Sequence, residues 1–485
     1  MQFAYYPLSD FDIMLRGTGI TLGWLVEGII DKARLKAVLR NLVTKWPLLG
    51  GRLESVMGEQ GMQFRVKVPL PGSESEGEDR YAPFVLTSRD SEEPITHFID
   101  VPLPTISDSL PLSLFKDTSA PSDPRAWESE QQQGAVPLAH WHLTFFRPNS
   151  ESKHDRPFTC IGLTFSHVVF DGMGIASVVH ALEAESLGRA WSVSPTHVVP
   201  GDNENALEAT LDRIENAKRT GHDSDECPAS AREVEYHSVS ILGPWFILCR
   251  IMWHIWQSIW HGTQSRAILL APAAYEKLVE DTREAAALHG MDDVRLSTGD
   301  VLAAFLLKAK TNRTRRISLS NQMSLRTLLD LPNYPHNCII PLPYPVFTVD
   351  ELQHIELHAL AYTLARSKLS VTAEHALITS SRVKTLRSQQ AKGRQSSLVL
   401  AIDGRADETL AMTNMSLGRL VDVDWTGVGG SKTVFQYKYL MTAGSLPFSN
   451  MVTIAGRLGD GTVALEAVLN RKRMRALEDA VARLG

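Results

Sequence analysis

CIGLTFSHVVFDGMGI, residues 160 to 175, sets a predicted strand against a predicted helix with a histidine at the corner. Ile161, Leu163 and Phe165 alternate onto one face of the strand, and His167 keeps their parity. Cys160, Gly162, Thr164 and Ser166 make the other face; all are small, so a second element can come close there. Asp171 reads as an N-cap, with Gly172 and Gly174 permitting a tight turn. Ile175, Val178, Val179 and Leu182 follow at i, i+3, i+4 and i+7, the stripe of an amphipathic helix. Desolvation keeps an imidazole between apolar neighbours neutral, and a neutral ring can take a proton near pH 7.

The HxxxDG pattern is too short to carry a function alone. A satisfied core histidine beside an ordinary N-cap has the same signature. Rival chemistries leave no trace of their own. His140 and His142 alternate on AHWHLTFF (139–146) with no Cys or acidic ligand at a zinc-like spacing, so no metal is expected. There is no GxSxG elbow, and no cysteine stands in a catalytic signature.

Further motifs follow one another along the chain. YYPLSDFD (5–12) precedes a strand and a helix that ends in KWPLLGGRLE (45–54). SRAILL (265–270), LSTGDVLAAF (296–305) and SLRTLLDLPNYPHN (324–337) come next. TNMS (413–416) leads into VDVDWTG (421–427), and TVALEAVL (462–469) runs into a basic helix. In this order they resemble the BAHD family of coenzyme-A-dependent acyltransferases, most of all its fungal branch, which includes the trichothecene acetyltransferases. The resemblance covers nearly the whole chain. There are departures: Asp424 and Trp425 stand at the first two positions of the family's DFGWG, but Thr426, Gly427 and Val428 do not follow it. Met415 replaces a tryptophan often found there, and the family's Y-F-G-N is Tyr334-Pro335-His336-Asn337.

The resemblance implies an α/β, two-domain chloramphenicol-acetyltransferase-like fold. Each domain would be a mixed β-sheet flanked by helices, with the active-site channel at the domain interface. It implies His167 as general base, with coenzyme A entering from one mouth and the acceptor from the other. Asp171 would turn away from the channel, pair with Arg326 and orient the corner. Thr413 matches the position whose hydroxyl is proposed to hold the oxyanion. Gly172 and Asp424 would support the site, Asp424 through an ion pair in its loop. The implied reaction is O-acyl transfer, by likeness acetyl transfer, from acyl-coenzyme A to a hydroxyl of a small secondary-metabolite acceptor. Acyl-coenzyme A is then a co-substrate, and no permanently bound cofactor is expected. Lys308, Lys310, Arg313, Arg315 and Arg316 are all candidates to meet its phosphates, and the sequence does not choose among them. Two other readings stay open. A carrier-protein-dependent condensation enzyme shares the fold and the histidine, but usually has a second histidine where Ser166 stands. A non-catalytic small-molecule-binding module has no need to keep His167, Asp171, Gly172 and Arg326 together.

At 485 residues the chain has room for two cores. The expected division is residues 1–200 carrying HxxxDG, a crossover over 201–262, and a second domain over 263–485. With 44% hydrophobic and 21% charged residues the composition is globular, and a net charge of −6 argues against a nucleic-acid partner. Cys160 and Cys249 lie in apolar runs and read as reduced core residues. MQFAYYPLSD has neither a basic region nor an apolar h-region, so a cytoplasmic location is expected; a monomer is expected as well. Gly72–Pro83 and Asp117–Gln133 read as surface loops. In the second domain, Val294–Lys310, Asp350–Ser367 and Thr372–Arg387 read as helices. Ser397–Ile402, Thr433–Tyr439 and Thr462–Leu469 read as strands.

Residues 244–261 form a predicted amphipathic helix. Trp245, Leu248, Met252, Ile255, Trp256 and Ile259 share one face; Arg250, His254, Gln257 and His261 make a polar stripe. Packing on the protein is the first expectation, weak peripheral membrane contact the second, and a transmembrane span is not expected.

Overall fold

A computed structural model describes residues 2–58, 61–70, 81–127, 136–148, 156–201, 204–220, 236–242, 244–309, 316–392, 397–400, 403–442 and 450–484. Cys227, Lys310, Arg313 and Arg315 lie outside the described residues, as do parts of the expected loops and crossover. The strand read from the opening stretch is central to a five-stranded sheet, in the order β17 (Gly430–Thr442), β2 (Thr18–Gly28), β8 (Phe158–Ser166), β7 (Ala139–Phe146), β5 (Val85–Asp90). β8 runs antiparallel to both neighbours, with Leu22 opposite Leu163 and Leu143 opposite Ile161. Every β8 residue is buried, because both faces are covered. Ile161, Leu163 and Phe165 pack with Leu35, Leu39 and Leu42 of α2 (Lys32–Lys45) and with Ile175, Val178, Val179 and Leu182 of α3 (Gly172–Ser186). On the small face the backbone of Leu112–Phe115 presses so close that a Cβ at Gly162 would overlap the Phe115 carbonyl. The face of small residues is what admits it.

The second sheet has seven strands in the order β14 (Val346–Thr348), β11 (Arg316–Ser320), β16 (Glu408–Asn414), β18 (Met451–Arg457), β19 (Val463–Asn470), β10 (Thr263–Leu270), β6 (Ile106–Asp108). The β11–β16 and β16–β18 pairs are parallel and the others antiparallel, so this sheet is mixed. Its core takes in apolar side chains of α4 (Ala206–Thr220), α6 (Pro272–Leu288), α7 (Thr298–Lys308), α9 (Leu357–Leu369) and α11 (Arg471–Ala482). Ser297 caps α7 by accepting from Asp300 N, so this helix starts four residues later than the expected Val294–Lys310. Smaller pairings complete the strands: β1 (Phe3–Pro7), β4 (Gly61–Pro69) and β3 (Arg52–Gly58) form one sheet; β12 (Gln322–Ser324) joins β13 (Ile339–Pro341); β15 (Ser397–Leu400) joins β9 (Val239–Leu242). The remaining helices are α1 (Asp10–Ile13), α5 (Pro244–His261), α8 (Val349–His354) and α10 (Ala373–Ala391).

Strands are exchanged between the halves of the chain. β17 closes the first sheet against β2, and β6 ends the second against β10. A third apolar cluster fills the space between the sheets, drawing Leu25, Cys160 and Tyr437 from one, Ala267 and Ala464 from the other, and Phe115 besides.

Three expectations are corrected. The predicted helix over 350–367 is two helices, since Ile355 and Glu356 take extended backbone (ψ 131° and 151°). The helix over 244–261 forms, but its apolar face does not pack on the protein: Trp245, Leu248, Met252, Trp256 and Ile259 are exposed. Cys249 on the same helix is exposed too, so only Cys160 of the two reads as core. Among the described residues no helix is long and apolar enough to cross a membrane.

Candidate active site

His167 follows the last residue of β8, where the chain leaves the sheet; its N–H donates to Thr18 O (2.9 Å). The residue is 9% exposed, and Nδ1 is enclosed without a hydrogen-bond partner. Burial pushes the ring down to about 4, with the cationic Lys438 adding to the shift, while the carbonyls of His167 and Phe170 and the charge of Asp171 act weakly the other way. The ring is therefore neutral at physiological pH, as the apolar parity of the strand suggested.

Asp171 is fully buried and spends both oxygens on structure. Oδ1 accepts from the N–H groups of Met173 and Gly174, capping α3. Arg326 grips it from across the domain junction, Nη1 to Oδ2 at 2.8 Å and Nη2 to Oδ1 at 2.9 Å, and Cys338 N donates to Oδ2. The same guanidinium donates to the carbonyls of Tyr334 and His336. This is a bidentate, desolvated pair with its remaining valences filled, the geometry in which such a pair holds a corner rigid.

Gly172 and Gly174 are the first and third residues of α3, and neither has the left-handed backbone that a turn glycine needs. Their requirement is close approach. A Cβ at Gly174 would overlap the Pro335 carbonyl oxygen, whereas one at Gly172 would meet only the flexible thioether of Met415, with Sδ at 2.7 Å.

Met415 also brings β16 to this corner. Thr413, two residues earlier, pairs in register with Thr453 of β18 and is half-buried. Asp424 is elsewhere. Its N–H donates to Glu183 Oε1 near the far end of α3, about 18 Å of helix from the cap. Its carboxylate accepts from Thr426 N and Oγ1, which holds it below its usual range. Among the described residues the loop is thus anchored by this turn and by Glu183, and in place of the expected ion pair Arg189 acts on the carboxylate through its charge. Gly427 lies too close to Ser186 to carry a Cβ, so this departure from the family pattern still serves packing.

Several residues at the corner were quoted above without a role. Asn337 Nδ2 donates to the carbonyls of His167 (2.8 Å) and Val168 (3.1 Å), and both its N–H and Nδ2 donate to Asp12 Oδ1. Ser9 N and Oγ donate to the other Asp12 oxygen. Burial raises Asp12 to about 7 against these hydrogen bonds. His336, also pushed down to about 4 by burial, stacks on Phe170 (5.7 Å, 14°) and makes a ring hydrogen bond to Val169 O. The signal was available in Ser9-x-x-Asp12, a capping-box spacing on the four-residue α1, but its partner lies in the other half of the chain. Of the candidates for coenzyme phosphates, Lys308 donates to the carbonyls of Leu352 and Ile355 and so closes α8.

No protein-family model and no curated protein matches the sequence. Solved structures do match. F. graminearum TRI101 complexed with ethyl coenzyme A superposes with a TM-score of 0.61 at 14% identity, over 99% of this chain and 97% of that one. The TRI3 trichothecene 15-O-acetyltransferase from Fusarium sporotrichioides gives 0.54 at 11% identity, over 99% and 95%. The first condensation domain of the calcium-dependent antibiotic synthetase gives 0.50 at 16%, over 97% and 90%. With two mixed-sheet cores meeting at the histidine corner, the chain has the two-domain chloramphenicol-acetyltransferase-like fold of these proteins.

Proposed function

We propose that this chain is an acyl-coenzyme-A-dependent O-acyltransferase acting on a hydroxyl of a small secondary metabolite, with His167 as its general base. The carrying observation is a neutral imidazole enclosed where the two cores meet, on a corner locked by Asp171 and Arg326. Full-length similarity to an acetyltransferase, and to a protein seen with a coenzyme A analogue, supports acetyl-coenzyme A as donor. In the proposed step the acceptor hydroxyl gives its proton to His167 as its oxygen attacks the thioester carbonyl. The C–O bond forms, the C–S bond breaks, and the imidazolium returns the proton to the departing thiolate. Thr413 is assigned to the oxyanion, a donor typically worth about 3–4 kcal/mol. Asp171 acts by holding the corner, Asn337 by holding the carbonyls of His167 and Val168, and Asp12 by fixing Asn337.

The condensation-type reading is kept because such a domain shares the fold. Against it stands Ser166, buried beside His167 where that class usually carries a second histidine. The test is transfer from labelled acetyl-coenzyme A to a panel of alcohols. His167→Ala should lose transfer by about a hundredfold or more while keeping its melting temperature. Asp171→Ala should lose about 3–5 kcal/mol of stability along with activity, because Arg326 is left buried and unpaired. Parental rates in purified His167→Ala would end the proposal.

A further inference from the structure

α5 turns its apolar side outward. Trp245, Leu248, Met252, Trp256, Ile259 and Trp260 are 47 to 78% exposed over less than five turns of helix. The inner side is held: Trp253 lies near the Arg473 guanidinium (5.8 Å), and the helix touches β10 and β19. A contiguous apolar face of this size on one helix marks a surface that something covers.

Charge identifies the cover. α5 contains no aspartate or glutamate. At its C-terminal end a cavity of about 560 Å³ is lined by Trp260 and by Lys308, Arg471, Lys472, Arg475 and Arg483, with Asp479 as the one carboxylate among the lining side chains. Arg471, Lys472 and Arg475 point outward because α11 buries its other face through Met474, Leu477 and Val481. Pairing with α5 of a second copy would bring no carboxylate to this rim, because the helix has none, so self-association leaves the cationic cluster without a counter-charge. Tryptophan at both ends of an exposed apolar stripe, beside clustered Lys and Arg, instead matches a helix lying in the headgroup region of an anionic bilayer.

We propose that α5 docks this protein on an anionic lipid surface, with its Trp-rich face in the interface and the Arg471–Arg475 cavity receiving lipid phosphate. The proposal is independent of the catalytic reading, since none of these residues belongs to the histidine corner.

Co-sedimentation of the full chain with phosphatidylcholine vesicles, with and without phosphatidylserine, tests it. Binding should rise about tenfold or more with phosphatidylserine and fall with added salt. Trp256→Ser/Ile259→Ser and, separately, Arg471→Glu/Arg475→Glu should each weaken it about tenfold or more, at unchanged melting temperature. The assignment is overturned by absent or serine-lipid-independent binding, or by either double variant binding like the parent. It is equally overturned if the parent is a dimer that the apolar variant makes monomeric. Release from vesicles by free coenzyme A would give the cationic cavity to the coenzyme and also overturn it.

Discussion

His167 trades basicity for readiness. A ring pushed down to about 4 by burial is unprotonated at every pH where the protein would work, but it is a weaker base than a solvated imidazole. The sign of the pH dependence follows. Only the neutral ring accepts a proton, so activity is present above the folded value and is lost as pH falls through it. We expect kcat/KM to be level from about pH 6 to about pH 8 and to fall only below about pH 5. A limb near the ordinary histidine value, about 6.5, would show that the ring is solvated in the working protein and would remove the burial argument. The neutrality of this ring was legible in the sequence, because Ile161, Leu163 and Phe165 fix the apolar side that His167 shares. Its hydrogen-bonded setting was not. Asn337 and Asp12 are 325 positions apart and meet only in the fold, and neither residue carries a local pattern that names its partner.

Between elements, distance is set by glycines more than by turns. Gly162 admits the Phe115 carbonyl to the small face of β8, and the obstruction a side chain would meet there is backbone. Backbone cannot rotate away, so Gly162→Ala should destabilise by about 1–3 kcal/mol by displacing Leu112–Phe115. Gly172→Ala is the matched comparison. Its obstruction is the flexible end of Met415, so it should cost less than about 1 kcal/mol and gain a little from helix propensity. Urea unfolding of the two variants measures both; equal losses would mean that the approach at β8 is not tight. The small face was legible because four alternate positions are small; which segment used it was not. α5 shows the same limit more sharply. Its stripe was read correctly from spacing, but spacing reports that a face is apolar and not what it faces, and here it faces outward. The break between α8 and α9 escaped for a different reason: His354-Ile355-Glu356-Leu357 holds no glycine or proline to mark it.

Across the whole molecule the two halves depend on each other through β17. Thr433–Tyr439 was recognisable as a strand, but nothing in its sequence says that it pairs with β2, from Gly430 opposite Gly28 to Thr442 opposite Thr18. Without β17, the run TGITLGWLVEG would be a long apolar edge with its hydrogen-bonding groups unpaired, a template for aggregation. Three acids of the first half also find their partners in the second: Asp10 pairs with Arg387 at 2.6 Å, Asp12 with Asn337, and Asp171 with Arg326. A cut in the chain at the proposed 262/263 boundary therefore separates partners that complete one another. Expressed alone, residues 1–262 should aggregate; co-expressed with 263–485, they should assemble into one particle that unfolds in a single calorimetric transition. A soluble, monomeric 1–262 fragment, or two well-separated transitions in the intact chain, would show that the first sheet stands without β17. The buried acids would then be local supports of the corner and not ties between the halves.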